Sequence, residues 1–250
     1  MIKPKKILEI NNLSYQISET HKVLDNISLE VHEGDRIGFI GPNGTGKTTL
    51  FLSVAGVNVL SAGSIILFDR LVAAGEFRPE LGMVFQNQDD QIFCPSVKDD
   101  IAFGLINMGL TKEEVKQRVD FTVKLLGIEG LVDRLPHQLS GGEKRLVAIA
   151  GIIAMNPQLI IYDEPTSNLD MRYRRRLIEL IKSSSSSKGL LVASHDLEFV
   201  LEVCNRVVLI DEGRIIADGK PKEILSNEEL LLAHGLESPY SLHSIAALYK

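Results

Sequence analysis

The sequence predicts an α/β fold, and three features predict it. An apolar segment, Arg36 to Ile40, runs into a glycine-rich loop and then into a helical apolar face. Later apolar segments, Leu159 to Tyr162, Leu190 to Ser194 and Val207 to Ile210, lack polar alternation, as strands covered on both faces do. Short β-like runs open the chain, whereas helical periodicity fills its middle. The predicted architecture is therefore a parallel α/β core, an N-terminal antiparallel β layer and an inserted α-helical subdomain.

Ile7 to Asn11, Leu13 to Ile17 and Asn26 to Val31 are the runs of the β layer, separated by polar turns. Arg36 to Ile40 follows as a strand, and Leu50, Phe51, Val54 and Val57 mark the next helix. Ser64 to Phe68 and Leu81 to Phe85 read as further strands. Thr111-Lys112-Glu113-Glu114 matches a capping box, and Val115, Val119, Thr122 and Leu126 continue one helical face to Gly127. Ser140-Gly141-Gly142-Glu143 is a second such box, opening an apolar helix that stops before Pro157. Ser183 to Ser187 reads as a surface loop between a helix and a strand. Asp211-Glu212-Gly213 and Asp218-Gly219 punctuate a final hairpin, and Ser226-Asn227-Glu228-Glu229 starts another helix.

Composition excludes several classes. With 44% hydrophobic and 24% charged residues in 250, the chain buries a substantial core and is not a disordered tail. Lys and Arg number 27 against 33 Asp and Glu, a net charge of −6, so no broad basic field attracts a nucleic-acid backbone. Cys94 and Cys204 lie far apart and form no C-x-x-C pair, which argues against a disulfide framework or a cysteine zinc site. Cys204 falls on an apolar helical face with Leu197, Val200 and Leu201 and reads as core. Met1 to Lys6 is basic but lacks the apolar stretch of a secretory signal. Two uncharged runs, Thr48 to Phe68 and Leu146 to Tyr162, are broken by Gly56, Asn58, Gly63 and by Asn156-Pro157, so each reads as a helix followed by a strand and not as a membrane span.

Gly41-Pro42-Asn43-Gly44-Thr45-Gly46-Lys47-Thr48 satisfies the P-loop pattern G-x-x-x-x-G-K-[ST] between a predicted strand and a predicted helix. The glycines let backbone N–H groups turn toward phosphate oxygens, Lys47 reaches the β and γ phosphates, and Thr48 supplies a ligand to Mg²⁺. Leu159 to Tyr162 ends in Asp163-Glu164, two carboxylates at the tip of an apolar strand. In that place Asp163 assists Mg²⁺ and Glu164 polarises the attacking water of a phosphoryl transfer. One such loop and no internal repeat imply a single nucleotide-binding unit and not a fused pair.

With Leu139-Ser140-Gly141-Gly142-Glu143 added, the sequence resembles the ATP-binding cassette (ABC) ATPases, whose LSGGQ signature it matches except at Glu143. The resemblance covers residues 6–225 and implies a P-loop NTPase core. It also implies a head-to-tail dimer in which Ser140, Gly141 and Gly142 of one subunit face ATP held by Asn43 to Thr49 of another, Lys47, Thr48 and Thr49 included. Glu143 adds negative charge there, so its side chain is expected to turn away or to accept backbone N–H groups. By the same resemblance Gln86 is the Q-loop glutamine, which contacts Mg²⁺ or its water and senses the transporter partner, and Ser167-Asn168-Leu169-Asp170 is the D-loop. His195 is the switch histidine near the γ-phosphate, and Tyr15 the aromatic that stacks on adenine. The implied domains are a nucleotide-binding domain over 1–225, with a helical insertion at about 87–158, and an extension over 226–250.

Val84 to Phe93 and Asp99-Asp100-Ile101-Ala102-Phe103-Gly104 look like the corresponding segments of cobalt-type and energy-coupling-factor ATPases, with Gln88 where proline is common. This resemblance implies an ATP-hydrolysing subunit of an importer for a transition-metal ion, cobalt or nickel, or a vitamin. Its partners are a second copy or a related ATPase subunit and integral membrane transporter subunits, at the cytoplasmic face of the cell membrane, with no nucleic acid. The competing expectation is a soluble ABC-type switch acting on nucleic acid or a protein assembly.

Overall fold

The computed structural model describes residues 4–18, 20–167, 169–183 and 187–243. The chain divides into two compact units, Met1–Phe77 with Ser185–Lys250, and Arg78–Ser184. It begins in the first unit with β1 (Lys6–Ser18), β2 (His21–His32), β3 (Arg36–Ile40), α1 (Lys47–Val54), β4 (Ala62–Leu67) and β5 (Arg70–Leu71). The second unit holds β6 (Leu81–Val84), α2 (Val97–Asn107), α3 (Lys112–Leu126), α4 (Gly141–Met155), β7 (Leu159–Asp163) and α5 (Met171–Ser183). The first unit is completed by β8 (Gly189–Ala193), α6 (Leu197–Val203), β9 (Arg206–Asp211), β10 (Arg214–Gly219), α7 (Pro221–Leu225) and α8 (Glu228–Ala233).

In the first unit an antiparallel sheet has the order β2-β1-β4-β5. The two runs expected at Ile7 to Asn11 and Leu13 to Ile17 are one continuous strand. The polar pair between them is a bulge: Asn12 takes φ 48° and the pairing with β2 shifts between Ile10 and Leu13. The Asn12 N–H donates instead to Ser28 Oγ at 2.9 Å, which replaces the missing ladder bond. The second sheet of this unit runs β10-β9-β3-β8, with β9, β3 and β8 parallel and β10 antiparallel. Strands β3, β8 and β9 are almost wholly buried, as continuous apolar runs require, whereas the edge strand β10 is largely exposed.

Helix α1 buries Leu50, Phe51 and Val54, and the Phe51 ring meets Phe39 edge to face at 5.2 Å. Val57, expected on the same face, lies past the end of α1 and is exposed, because the chain turns at Gly56 with φ 71°. The closing hairpin turns through Glu212 and Gly213, both at positive φ, as a tight two-residue turn demands. Asp218 and Gly219 instead belong to the end of β10. Helix α8 is capped by Asn227, whose side chain accepts the Leu230 N–H at 3.1 Å, one residue later than the expected Ser226.

In the second unit β6 and β7 pair in parallel, Val84 opposite Tyr162. Both expected capping boxes form: Thr111 with Glu114 at α3, Ser140 with Glu143 at α4. Helix α3 ends on Gly127 in the left-handed conformation and buries Val119, Thr122, Val123 and Leu126. Among the described residues, no helix is long and apolar enough to cross a membrane. Residues 184–186 of the serine run and 244–250 of the C-terminal extension lie outside the described residues.

Candidate nucleotide site

The first unit carries the phosphate loop. β3 delivers it and β8 lies alongside, with Phe39 opposite Ala193, so Gly41 and His195 leave the same carboxyl edge of one sheet. Gly41 has φ 142°, and a Cβ there would stand 2.0 Å from the Ile210 carbonyl oxygen. Gly46 opens α1 at φ 100°, and its Cβ would stand 2.7 Å from Leu24 Cδ2. Both positions need glycine for conformation and for space. Lys47 is buried, its Nζ donating to the carbonyl oxygens of Gly41 at 2.8 Å and Pro42 at 2.7 Å. Thr45 Oγ1 donates to the same Pro42 oxygen at 3.0 Å. Asn43, Gly44 and Thr48 are exposed and Thr49 half-buried. The start of α1 has no side-chain cap bond and no acidic residue in its first turn, a helix end suited to an anion.

Tyr15 is half-buried on β1, opposite Leu24, the residue that packs on Gly46. His195 is exposed between two ordered neighbours. Ser194 Oγ accepts the Asp196 N–H at 3.1 Å, and Asp196 caps α6 by accepting the Phe199 N–H at 2.9 Å. Phosphate loop, Tyr15 and His195 thus belong to one unit.

The second unit carries the carboxylates. Asp163 and Glu164 are buried at the carboxyl end of β7, with Glu164 at φ 49°, strained backbone for a non-glycine residue. The neighbouring β6 leads into Phe85 and the exposed Gln86, so Gln86 and the carboxylates leave adjacent strands. Between them sits Arg145, a residue with no chemistry assigned from sequence. It is 0% exposed, and its Nη1 and Nη2 donate to the carbonyl oxygens of Phe85 and Gln86, both at 2.8 Å. Burial lowers its guanidinium to about 10 against the pull of Asp163 and Glu164, leaving it cationic at neutral pH. The only sequence signal was a basic residue on a helix whose next ten positions are uncharged.

The glycine-rich segment at α4 is also in this unit. Ser140 Oγ accepts the Glu143 N–H at 3.3 Å, and Glu143 Oε2 accepts the Ser140 N–H at 2.8 Å. That bond holds the Glu143 carboxyl below its usual range despite burial, with smaller pulls from the Ser140 hydroxyl and Arg134. Glu143 is therefore folded back on the helix start. Asp170 Oδ1 caps α5 at the Tyr173 N–H, 2.9 Å away, and the Tyr173 ring packs on Gly142. Asn168 of the expected D-loop lies outside the described residues. Burial, aided by Asp100, raises the Cys94 thiol to about 11, and burial raises Cys204 to about 12, so neither is a thiolate nucleophile at neutral pH.

Residues 24–167, more than half of the chain, match the profile of the family described as ABC transporter. The chain belongs to that family. A putative ABC transporter ATP-binding protein of Synechocystis is 51% identical over 235 residues, covering 94% of this chain and 82% of the relative. The energy-coupling factor transporter ATP-binding protein EcfA of Methanocaldococcus jannaschii is 39% identical over 251 residues, covering 98% and 90%. Among solved structures, cbiO1 from Clostridium perfringens, part of the ABC transporter complex cbiONQ, superposes with a TM-score of 0.77 at 35% identity, covering 91% of this chain and 94% of that one.

As an ABC ATPase the chain binds and hydrolyses ATP. Beside the Gln86 segment, this ABC subunit has an apolar groove of about 230 Å³ lined by Met83, Phe85, Phe93, Phe103, Ile152 and Met155. Phe93 and Phe103 meet edge to face at 4.8 Å, and Phe93 is 65% exposed. Gln88 is buried at the start of the turn that follows and donates to the Gln86 carbonyl oxygen at 2.7 Å, a bond that proline could not make.

Proposed function

We propose that the chain is the ATP-hydrolysing subunit of an energy-coupling-factor or cobalt-type importer, peripheral at the cytoplasmic face of the membrane. The observation that carries this reading is end-to-end likeness to an EcfA protein, over 98% of the chain. The solute is a transition-metal ion, cobalt or nickel, or a vitamin, in keeping with the resemblance of Val84 to Phe93 and Asp99 to Gly104 to that group.

The residue roles follow from their chemistry. Backbone amides from Asn43 to Thr49, with the Lys47 ammonium, hold the phosphates, and Tyr15 stacks on adenine. The Thr48 hydroxyl, the Gln86 amide oxygen and the Asp163 carboxylate are each an oxygen donor of the kind Mg²⁺ takes. When bound, that ion neutralises charge on the phosphate oxygens. Glu164 accepts a proton from the attacking water, and its strained backbone fixes the carboxylate at the strand end. His195 orients the γ-phosphate region.

Ser140, Gly141 and Gly142 of a second copy, or of a related subunit, close over the nucleotide at the capped start of α4. ATP then stabilises the closed pair because it contacts both subunits only in that state. The groove at Phe93 and Phe103 receives the membrane subunits, and Arg145 ties the start of α4 to the Gln86 backbone beside that groove. Affinity isolation from membranes tests the assignment: recovery of hydrophobic transporter subunits is the expected result. Stable ATP-dependent capture of RNA or DNA at physiological salt would support the switch alternative instead.

A further inference from the structure

The C-terminal segment returns to the phosphate loop. Leu225 and Leu231 are fully buried and anchor α7 and α8, and Ser238 Oγ donates to the Leu225 carbonyl oxygen at 2.6 Å. From that anchorage three tethers reach the nucleotide half-site of the same unit. His234 Nδ1 stands 2.7 Å from Asp211 Oδ2. A carboxylate only accepts, so Nδ1 carries the proton. Asp211 follows Ile210, whose carbonyl lies against Gly41. Its other oxygen accepts the Glu212 N–H at 2.9 Å and so fixes the hairpin turn. That turn packs through Gly213 on Val23, which also borders Gly46. Gly235 sits over the Pro42 ring, a Cβ there lying 3.9 Å from Pro42 Cγ, and the Pro42 carbonyl holds both Lys47 and Thr45.

The third tether reaches the other side of the half-site. Ser241 donates twice to Glu198, from its backbone N–H to Oε1 at 2.9 Å and from its hydroxyl to Oε2 at 2.6 Å. Glu198 lies in the first turn of α6, the helix that Asp196 starts directly after His195. One short segment thus grips the back of the phosphate loop and the helix behind His195.

We propose that His234 and Ser241 are positioning residues of the ATPase, and that the segment from Asn227 to His243 is a strap fixing the phosphate loop relative to His195. It rests on the reading that Gly41 to Thr49 holds the nucleotide phosphates. The strap acts on the resting geometry of the site: with either tether cut, Pro42 and α6 are free to shift and nucleotide must pay to reorder them.

The test is equilibrium binding of a non-hydrolysable ATP analogue to the full chain, with the thermal midpoint of the nucleotide-free protein measured alongside. His234→Ala and Glu198→Ala, the second of which removes both acceptors of Ser241, are each expected to weaken binding about five-fold or more, the scale of a modest coupling between sites. His234→Asn places an amide donor where Nδ1 stood and is expected to restore affinity to within about two-fold. A purely structural role would lower the midpoint and leave the affinity of the folded protein unchanged, and that result overturns the proposal. Failure of His234→Asn to rescue overturns the His234 tether. Should His234→Ala not fold, Glu198→Ala carries the same test, and unchanged affinity in Glu198→Ala refutes the strap. Lys47→Ala separates the two levels. If it binds the analogue normally, the phosphate-loop reading fails. If it loses binding while both strap variants retain theirs, only the strap fails.

Discussion

Replacing Arg145 with methionine keeps an unbranched apolar stem and removes the guanidinium and its charge. In the native chain two N–H donors of the fully buried Arg145 meet the Phe85 and Gln86 carbonyl oxygens. The Gln86 oxygen keeps the bond from the Gln88 amide at 2.7 Å, so the acceptor left without a donor is that of Phe85, at a cost of about 1–3 kcal/mol. Asp163 and Glu164 also lose a compensating cation, which adds to the loss. Against this, the guanidinium no longer has to be desolvated, and its buried Nε, without a hydrogen-bond partner, is removed. The balance is a destabilisation of about 2 kcal/mol, a shift of roughly thirtyfold in the folding equilibrium. Urea unfolding of the full chain reads this as a lowered midpoint at unchanged slope. Arg145→Lys, with one ammonium for two carbonyls, should fall between the two. A methionine variant within about 0.5 kcal/mol of the native chain would refute the reasoning, because that is the range of surface changes and not of a buried network.

Gly46→Ala should abolish nucleotide binding and destabilise by about 1–3 kcal/mol, since alanine at φ 100° is strained and its Cβ meets Leu24; calorimetric titration with ATP and thermal melts check both. The Glu143 carboxyl is lowered in the folded chain by the Ser140 N–H, so its contribution to stability is present above the ordinary glutamate range and lost as pH falls through the lower folded value. Glu143→Gln keeps an acceptor oxygen for the Ser140 N–H and should flatten that acid limb of the stability profile; a limb identical to the native one argues against it.

Much of the fold was legible because its signals are local. Apolar runs without alternation named β3, β8 and β9, and the two S/T-x-x-E boxes placed the starts of α3 and α4 at the observed caps. The motif residues stand at strand ends and helix starts for the same reason. What escaped depends on partners distant in sequence. Asn11-Asn12 looks like a turn until Ser28 supplies the bond that makes it a bulge. Val57 has the spacing of a buried position, but Gly56 ends the helix before it. Arg145 contacts carbonyl groups about 60 residues earlier, so no window around α4 could reveal that it braces the Gln86 segment. The strap is the extreme case, joining Ser241 to Glu198 and His234 to Asp211 across separate elements.

The central claim is that ATP joins two ABC subunits at Lys47 of one and Ser140 of the other. Glu164→Gln, which leaves the phosphate loop intact and removes the proton acceptor, isolates that step. Sedimentation of this variant with its membrane companions supplied, at micromolar protein with and without ATP and Mg²⁺, should show ATP-promoted pairing of the ATPase subunits together with loss of most steady-state hydrolysis. Hydrolysis at the native rate, or no pairing promoted by ATP, would contradict the account.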